Sequence, residues 1–367
     1  MTIQTIGFAG LGLIGGSIAK AIRRVHPNMN IIAFDTDRQS LTAALADHTL
    51  NQAHDTLSSG FSQCDIIFLC APVNINVKNL QILKNIAGKN CIFTDVGSVK
   101  SPIHEEVRKL HMEDCFIGGH PMAGSEKSGY ANASDRLLEN AYYILTPTSQ
   151  APSAAVDTLT ELVRSISALP VVLNARHHDQ ITAAISHLPH IIAYTLVNLV
   201  RTSDDEDENM RMLSAGGFKD ITRIASSSPV MWQQICNENK ENLLDTLNTY
   251  IHSLETIAGA VRRDDRAMLL DFFGKAKDYR DSIPKSRANG SIRPVYEIYV
   301  DLIDESGAIA TIATILATNG ISIKNIGIVH NREFQEGALR IEFYEEDAAV
   351  KAATHLRKFH YTVHERN

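Results

Sequence analysis

The first half of the chain alternates between two hydrophobic patterns. Short apolar runs, of the length of buried strands, occur at residues 3–9, 30–35, 65–72, 91–96, 115–119, 141–146 and 169–174. Segments with helical spacing separate most of them, including residues 13–25, 76–86, 101–111 and 152–167. Strands that alternate with helices predict a mainly parallel, doubly wound α/β sheet. We assign residues 1–174 to this Rossmann-like domain.

The pattern changes between residues 175 and 283, where only helical spacing is found. The longest segment, residues 176–201, contains Pro189, which predicts a kink. An acidic loop at 202–209 follows, then helical patterns at 218–225 and 238–281. The apolar faces of these helices are wide, and two copies packed together would bury them. A helical domain that forms a homodimer is therefore the hypothesis for residues 175–283.

The last part of the chain begins after a linker-like segment at residues 281–294, rich in Ser, Pro and Gly. Strand and helix patterns then follow in the order βαββαβ within residues 295–367. This order predicts a ferredoxin-like domain.

The composition of the chain argues against nucleic acid and membranes as binding partners. The net charge is −7 and the pI is about 6.1, so the chain lacks the basic footprint that binds nucleic acid. We find no signal peptide and no apolar run of about 20 residues, and we expect no membrane span. The five cysteines are scattered without a CxxC pair, as expected for reduced core residues in a cytoplasmic protein.

A glycine-rich segment suggests a dinucleotide site. The G-x-G-x-x-G motif at residues 10–15 follows a predicted strand and opens a predicted helix, and an acidic residue closes the second strand 20 residues later. Backbone N–H groups and the helix dipole favour a pyrophosphate there, and the acid favours NAD over NADP. Arg38 lies close enough to blur that preference. The predicted cofactor-binding residues are Gly10, Gly12, Leu13, Ile14, Gly15 and Asp35.

One histidine stands in an unusual context. His120 lies in "FIGGHPMAGSE" (116–126), between a glycine pair and a proline, so we predict a shaped turn that is neither helix nor strand. A neutral imidazole with a pKa of about 6.5 suits the removal of a hydroxyl proton during hydride transfer.

Five segments in this order resemble the prephenate/arogenate dehydrogenase family. They are "GLGLIGGSIA", "TDVGSVK" (94–100), "GGHPMAGSE" (118–126), "SHLPH" (186–190) and "GGFKDITRIA" (216–225). The C-terminal βαββαβ pattern looks like the ACT regulatory domain that some members carry. The resemblance implies NAD-dependent oxidative decarboxylation of prephenate to 4-hydroxyphenylpyruvate, with tyrosine as a feedback effector.

The resemblance also implies roles for particular residues. His120 matches the catalytic histidine, and Ser98 matches a serine that bridges substrate hydroxyl, histidine and nicotinamide. Arg223 matches the arginine that binds a substrate carboxylate, for which a guanidinium fork is suited. Asp220, three residues earlier on the same helical face, is expected to orient it.

Further matches border the expected substrate pocket. They are His187 and His190, which share a helical face, and Glu126 at the pocket mouth. A metal on the two histidines is not expected, because no third ligand is evident. The chain departs from the family pattern at Ser228, where an acid is expected, and at Ser306, where such regulatory domains often have proline.

Alternative functions remain at this stage. Arogenate, with an amino group in place of the keto group, could be the substrate, since Arg223 would serve either carboxylate. The β-hydroxyacid dehydrogenases use a catalytic lysine on the long helix, and residues 176–201 contain none. A nucleotide-sensing regulator that lost catalysis is disfavoured by the presence of Ser98, His120 and Arg223.

Overall fold

The computed structural model describes residues 3–124, 127–283, 296–301, 307–329 and 338–365. Their contacts group the chain into two compact units, Met1–Asp264 and Asp265–Asn367. We describe each unit by itself. The finer division into 1–174, 175–283 and 295–367 remains a prediction.

The larger unit begins with a parallel sheet of five strands. They are β1 (Thr5–Ala9), β2 (Asn30–Phe34), β3 (Gln52–His54), β4 (Ile66–Leu69) and β5 (Ile92–Asp95). Their order across the sheet is β3-β2-β1-β4-β5, and every neighbouring pair is parallel. This is the order of a mononucleotide-binding half with its switch point between β1 and β4. The predicted Rossmann-like parallel sheet is confirmed.

Helices pack on both faces of this sheet. They are α1 (Leu13–Val25), α2 (Arg38–Ala46), α3 (Val73–Leu83) and α4 (Ser101–Lys109). Consecutive side chains of β1 belong to the hydrophobic cores on opposite faces of the sheet. Phe8 is in the core with Ile18 of α1, whereas Ala9 is in the core with Leu80 of α3. The Phe8 ring stacks on that of Phe68 in β4, with centroids 5.1 Å apart. The two buried faces explain why these strands are continuous apolar runs.

A second, three-stranded sheet follows and carries His120. Its strands are β6 (Ile117–Pro121), β7 (Tyr142–Pro147) and β8 (Leu169–Val172), with α5 (Ser153–Ser165) between the last two. β6 pairs antiparallel with β7, β7 pairs parallel with β8, and a parallel bridge from Phe93 to Phe116 links β6 to the end of the first sheet.

The prediction that His120 lies outside any strand is wrong. His120 is within β6, opposite Ile144 of β7. Glycine and proline lower the intrinsic strand propensity, but pairing with β7 outweighs that local preference. The preceding Gly119 serves packing, because a Cβ there would lie 2.5 Å from the carbonyl oxygen of Asp95.

The rest of the larger unit is helical, as predicted. Its helices are α6 (Ala175–Thr182), α7 (Leu188–Ser203), α8 (Asn209–Leu213), α9 (Gly216–Thr222), α10 (Pro229–Glu238) and α11 (Lys240–Arg262). A π-helical turn, Ala183–His187, joins α6 to α7, and a 3-10 turn, Arg223–Ser226, follows α9. The π turn comes just before Pro189, whose ring cannot fit a regular α-helical turn. Helical structure therefore continues past Pro189, and the kink stays a prediction.

The absence of a membrane span stays an expectation, on which the helix Ala175–Ser203 bears. Among the described residues it is the one helix that is long and apolar enough to cross a membrane, by length and composition only, with 29 residues. The sequence reading missed it because histidines and other polar residues interrupt every apolar run. Two of those residues, Asp179 and His187, are fully buried in the protein.

The smaller unit contains α12 (Arg266–Ser282) and an antiparallel sheet. Its further elements are β9 (Tyr296–Asp301), α13 (Ala308–Thr318), β10 (Ile323–Val329), β11 (Ala338–Phe343), α14 (Glu346–Lys358) and β12 (Val363–Glu365). The strand order is β10-β11-β9-β12. The predicted βαββαβ order is present. The predicted helix over 238–281 is instead two helices, because Asp264 adopts a φ of 49° and Asp265 caps α12.

The turn after β1 generates a stability prediction. Gly10 has a φ of +105°, and a Cβ there would lie 2.8 Å from the carbonyl carbon of Cys70. We expect Gly10→Ala to lower the free energy of unfolding by about 2–4 kcal/mol, from backbone strain and overlap. Chemical and thermal denaturation measure this loss.

Gly12→Ala is the matched control. Its φ is −78°, and a Cβ there would meet no atom of the protein within 4 Å. We expect a melting temperature close to that of the wild type. Equal melting temperatures for the two variants would contradict the role given to Gly10.

Candidate active site

Polar residues collect at one edge of the parallel sheet. Gly10 follows β1, Asp35 follows β2, Cys70 follows β4 and Asp95 ends β5, so all lie at the carboxyl ends of parallel strands. Burial is the largest cause of the raised pKa of the Cys70 thiol. The nearby carboxylates of Asp95 and Asp35 raise it further. Ligands of open α/β sheets bind at this edge.

The glycine loop and Asp35 are brought together as predicted. The Asp35 carboxylate accepts hydrogen bonds from the backbone N–H of Leu11 at 2.5 Å and of Asp37 at 2.8 Å. Gly12 is the N-cap of α1 and provides no side-chain cap, so the first N–H groups of that helix, including those of Leu13 and Ile14, are available to an anion. Gly15 must be glycine, because a Cβ would lie 2.6 Å from the carbonyl oxygen of Gly10.

A buried ion pair joins β5 to β6 beside His120. The Lys100 ammonium, fully buried, donates to the Asp95 carboxylate and to the carbonyl oxygen of Gly119 at 2.7 Å. Oδ1 of Asp95 accepts a hydrogen bond from the backbone N–H of Gly119 at 3.1 Å. Oδ2 of Asp95 accepts one from the backbone N–H of Gly97 at 2.9 Å. Asp95 thus holds the residues that precede Ser98 and His120. Burial lowers the pKa of Lys100, and Asp95 opposes that shift.

His120 is 9% exposed and contacts a second histidine. Its Nδ1 lies 2.8 Å from Nε2 of His178, whose Nδ1 lies 2.8 Å from the Asp179 carboxylate. Burial lowers the pKa of His120 well below 6.5, and His178, Lys100 and His187 lower it further. The imidazole of His120 is therefore uncharged at neutral pH.

Asp179 is a buried acceptor shared by two parts of the larger unit. Its carboxylate accepts from the backbone N–H of Lys100 at 2.8 Å and of Ser101 at 2.7 Å, and from the Ser101 hydroxyl at 2.5 Å. These N–H groups belong to the first turn of α4, so Asp179 caps that helix from α6. Burial raises the pKa of Asp179, but the hydrogen bonds outweigh burial and lower it.

His187 lies on the π turn and is also fully buried. The side-chain amide of Asn239 donates to His187 Nδ1 at 3.1 Å and to the carbonyl oxygen of Asp179 at 2.8 Å. His187 must then carry its proton on Nε2, an atom with no partner among the described residues. Burial lowers the pKa of His187 to about 4, so this imidazole is neutral and offers one N–H donor.

His190 and Arg223 approach one another across two elements. The ring of His190 stacks on Trp232 of α10, with centroids 3.7 Å apart, and its Nδ1 lies 2.9 Å from the carbonyl oxygen of Ser186. Burial lowers the pKa of His190, and the nearby Arg223 guanidinium also lowers it. Tyr194 donates to the carbonyl oxygen of Ser227 at 2.6 Å, which holds the 3-10 turn against α7.

Asp220 and Arg223 are not paired with each other as expected. Asp220 and Arg223 both have exposed side chains, and no ion pair joins these two described residues. Glu126 lies outside the described residues.

Several site residues were missed from the sequence. They are Asp95, His178, Asp179, Glu238 and Asn239; the sequence also suggests Lys100 and Trp232 but assigns no role to either. Burial raises the pKa of Glu238 to about 7, where Lys100 opposes the shift and Asp95 and Asp179 add to it. The one available signal was the "HHD" segment near the start of α6, since a histidine beside an aspartate there must be either solvated or hydrogen-bonded in a buried network.

Comparisons with known proteins identify the family of the chain. Residues 18–172 match the family model described as prephenate dehydrogenase, nucleotide-binding domain, and residues 174–275 match the one described as prephenate dehydrogenase, dimerization domain. The prephenate dehydrogenase of Bacillus subtilis is 41% identical over 351 residues, which cover 95% of this chain and 94% of that protein. The chain belongs to the prephenate dehydrogenase family.

Solved structures support the same assignment. The prephenate dehydrogenase of Aquifex aeolicus, solved with hydroxyphenyl propionate and NAD+, superposes with a TM-score of 0.73 at 29% identity and covers 77% of this chain and 99% of that one. The arogenate dehydrogenase of Synechocystis gives a TM-score of 0.69 at 29% identity, over 77% of this chain and all of that one.

The buried ion pair generates a prediction for Lys100. We expect Lys100→Met to lower the free energy of unfolding by about 3–5 kcal/mol, because it leaves the Asp95 carboxylate buried without its cation. Urea denaturation measures the loss. Lys109→Met is the control, since Lys109 is 71% exposed and lies 3.6 Å from Glu106 in a surface pair. Similar midpoints for the two variants would show that the Lys100–Asp95 pair is not structurally important.

Proposed function

We propose that this protein is an NAD-dependent prephenate dehydrogenase, which oxidises and decarboxylates prephenate to 4-hydroxyphenylpyruvate. Membership of the family supports the activity. The observation that carries the mechanism is the placement of His120, a buried imidazole with a lowered pKa in β6, directly after Gly119, whose N–H donates to Asp95 at the carboxyl end of β5. An acceptor for a hydroxyl proton is needed at that place.

The residues of the glycine loop fit NAD. The space beside Gly12 and the uncapped start of α1, with Leu13 and Ile14 in its first turn, suit a pyrophosphate. Asp35 already accepts two backbone N–H groups, and a carboxylate has further lone pairs for a ribose hydroxyl. When bound, NAD accepts the hydride from C4 of the substrate ring.

The other residues are assigned to the substrate. His120 takes the proton of the ring hydroxyl as that oxygen becomes a carbonyl, and Ser98 hydrogen-bonds to the same hydroxyl. Arg223 binds a carboxylate, and His187 and His190 border the ring. We assign to Asp220 the role of orienting Arg223. We assign Glu126 to the mouth of the substrate pocket. The ring carboxylate leaves as CO2 when the ring becomes aromatic.

The assignment of His120 has a direct test. With purified prephenate and NAD, we expect NADH formation, and we expect His120→Asn to lower kcat by about 10²–10⁴-fold while NAD binding, measured by fluorescence, stays unchanged. His111→Asn is the control, because His111 is exposed after α4 and its φ of 52° suits asparagine. Unchanged turnover in His120→Asn would refute the role.

The same assay checks the protonation state. Only neutral His120 can accept a proton, and its pKa is lowered below 6.5, so kcat/KM is expected to fall only as the pH drops below that value. An acid limb centred above pH 6.5 would mean that another group titrates.

Arogenate remains the competing substrate. Solved relatives include an arogenate dehydrogenase, and Arg223 could bind the side-chain carboxylate of either compound. The ratio of kcat/KM for prephenate and arogenate, measured side by side, decides between them.

A homodimer is proposed for the native state. The matched dimerization model covers residues 174–275, and only 17% of the most apolar window of the helix Ala175–Ser203 is buried within one chain. Large apolar side chains also remain exposed, among them Met212 at 70%, Leu213 at 72% and Val261 at 61%. A second copy would cover such surfaces. A cytoplasmic location remains the expectation for the enzyme.

Tyrosine is proposed as an effector that acts through the βαββαβ unit, which we assign as an ACT domain. Its sheet has one face covered by α13 and α14, and Gly307, with a φ of +93°, precedes α13. Ser306 lies outside the described residues.

We expect L-tyrosine to lower the rate of NADH formation and to raise the melting temperature of the full chain, because a ligand that binds only the folded protein stabilises it. D-tyrosine is the control for stereospecific binding. If saturating L-tyrosine changes neither quantity, the C-terminal unit has another role.

A further inference from the structure

Asp179, His178 and His120 form a linear chain of hydrogen bonds in which each proton has one allowed position. The two links are each 2.8 Å long, and all three side chains are at least nine-tenths buried. No established role follows from the family match for His178 or Asp179. The direction of the hydrogen bonds can be worked out from Asp179 outward.

Asp179 can only accept. Three donors other than His178 already point at its carboxylate, namely the N–H groups of Lys100 and Ser101 and the Ser101 hydroxyl. An ionised carboxylate has no proton to donate, so His178 must donate from Nδ1. When His178 is the neutral imidazole, it has one N–H and one lone pair, so its Nε2 carries the lone pair.

The second link then determines the state of His120. Its Nδ1 lies beside the lone pair of His178, so Nδ1 of His120 must carry the proton and donate it. The lone pair of His120 is therefore on Nε2, which makes no hydrogen bond to any of the described residues. A histidine without such a partner would populate both tautomers, and only one of them leaves Nε2 able to accept a proton.

We propose that His178 and Asp179 are positioning residues that hold neutral His120 in its Nδ1–H tautomer, so that Nε2 is the atom that accepts the substrate hydroxyl proton. This proposal rests on the proposed function of His120. The hydroxyl O–H bond breaks as an N–H bond forms at Nε2. The resulting cation is stabilised through His178 by the Asp179 carboxylate. When CO2 leaves, the electron pair of its bond passes through the ring to the C4 oxygen, and this phenolate recovers the proton from Nε2.

There is a physical reason for His178 to lie between His120 and Asp179. A carboxylate in direct contact with His120 would favour the imidazolium, which cannot accept a proton. With neutral His178 between them, Asp179 orients the ring without charging it. The ionisable groups that face His120 come from three segments: His178 and Asp179 of α6, Lys100 before α4, and His187 of the π turn. None of them places an anion directly on the ring of His120.

Two substitutions at His178 separate orientation from packing. His178→Leu removes the acceptor, and His178→Gln restores it, because a glutamine carbonyl oxygen can take the place of Nε2. We expect His178→Leu to lower kcat about 10–100-fold with KM and NAD affinity nearly unchanged, and we expect His178→Gln to recover most of the loss. His177→Leu is the matched control, since His177 is the exposed neighbour on the same helix.

The tautomer itself is measured by two-dimensional 1H–15N spectra of 15N-histidine-labelled enzyme without substrate. The His120 signals are identified by their absence in His120→Asn. We expect the Nδ1–H pattern in the wild type and in His178→Gln, and the Nε2–H pattern or a mixture in His178→Leu.

The outcomes distinguish this proposal from the proposed function. An Nε2–H pattern for His120 in the wild-type enzyme would overturn the tautomer assignment whether or not the variants fold. The wild-type tautomer retained in His178→Leu, with full kcat, would also overturn it. Normal turnover in His120→Asn would instead refute the proposed function, while the spectra would still report the hydrogen-bond chain.

Discussion

The buried carboxylate of Asp179 connects the two halves of the larger unit. It belongs to α6 of the helical part, yet it caps α4 of the sheet part and accepts from His178 in the same place. Removal of this anion would leave several donors without a partner in a region from which water is excluded, which is costly. The orientation of His178, and through it of His120, therefore depends on the same atoms that join the two halves.

Low polarity around the site determines the charges of its histidines. Burial is the largest cause of the lowered pKa of His120, His187 and His190. In a neutral imidazole one ring nitrogen donates a hydrogen bond and the other accepts one. The hydrogen-bonding neighbours determine which nitrogen carries the proton. Opposite assignments follow for two of them: His120 presents a lone pair at Nε2, whereas His187 presents an N–H at Nε2. A proton acceptor and a hydrogen-bond donor can thus be built from the same residue type.

The buried charges of Asp95, Lys100 and Asp179 each have hydrogen-bonding partners. Lys100 neutralises Asp95, and the pair holds the strand backbone next to His120 by contacts with both the N–H and the carbonyl oxygen of Gly119. A buried ion pair contributes little net stability but is costly to break, so it acts mainly as a constraint on geometry. The close approach of Gly119 to Asp95 holds β6 beside β5, and pairing with β7 keeps His120 within the strand.

The sequence by itself determined the alternation of most strands and helices, the dinucleotide loop with Asp35 and the family, because these depend on periodicity and on motifs read along the chain; the short edge strand β3 was not predicted. It also singled out His120, although its local propensities misplaced the residue outside a strand. Only the tertiary structure decided that His178 lies against His120 and that Asp179 caps α4. Those contacts join residues 58 or more positions apart, and no local pattern shows whether a histidine or an aspartate is solvated or buried in a network.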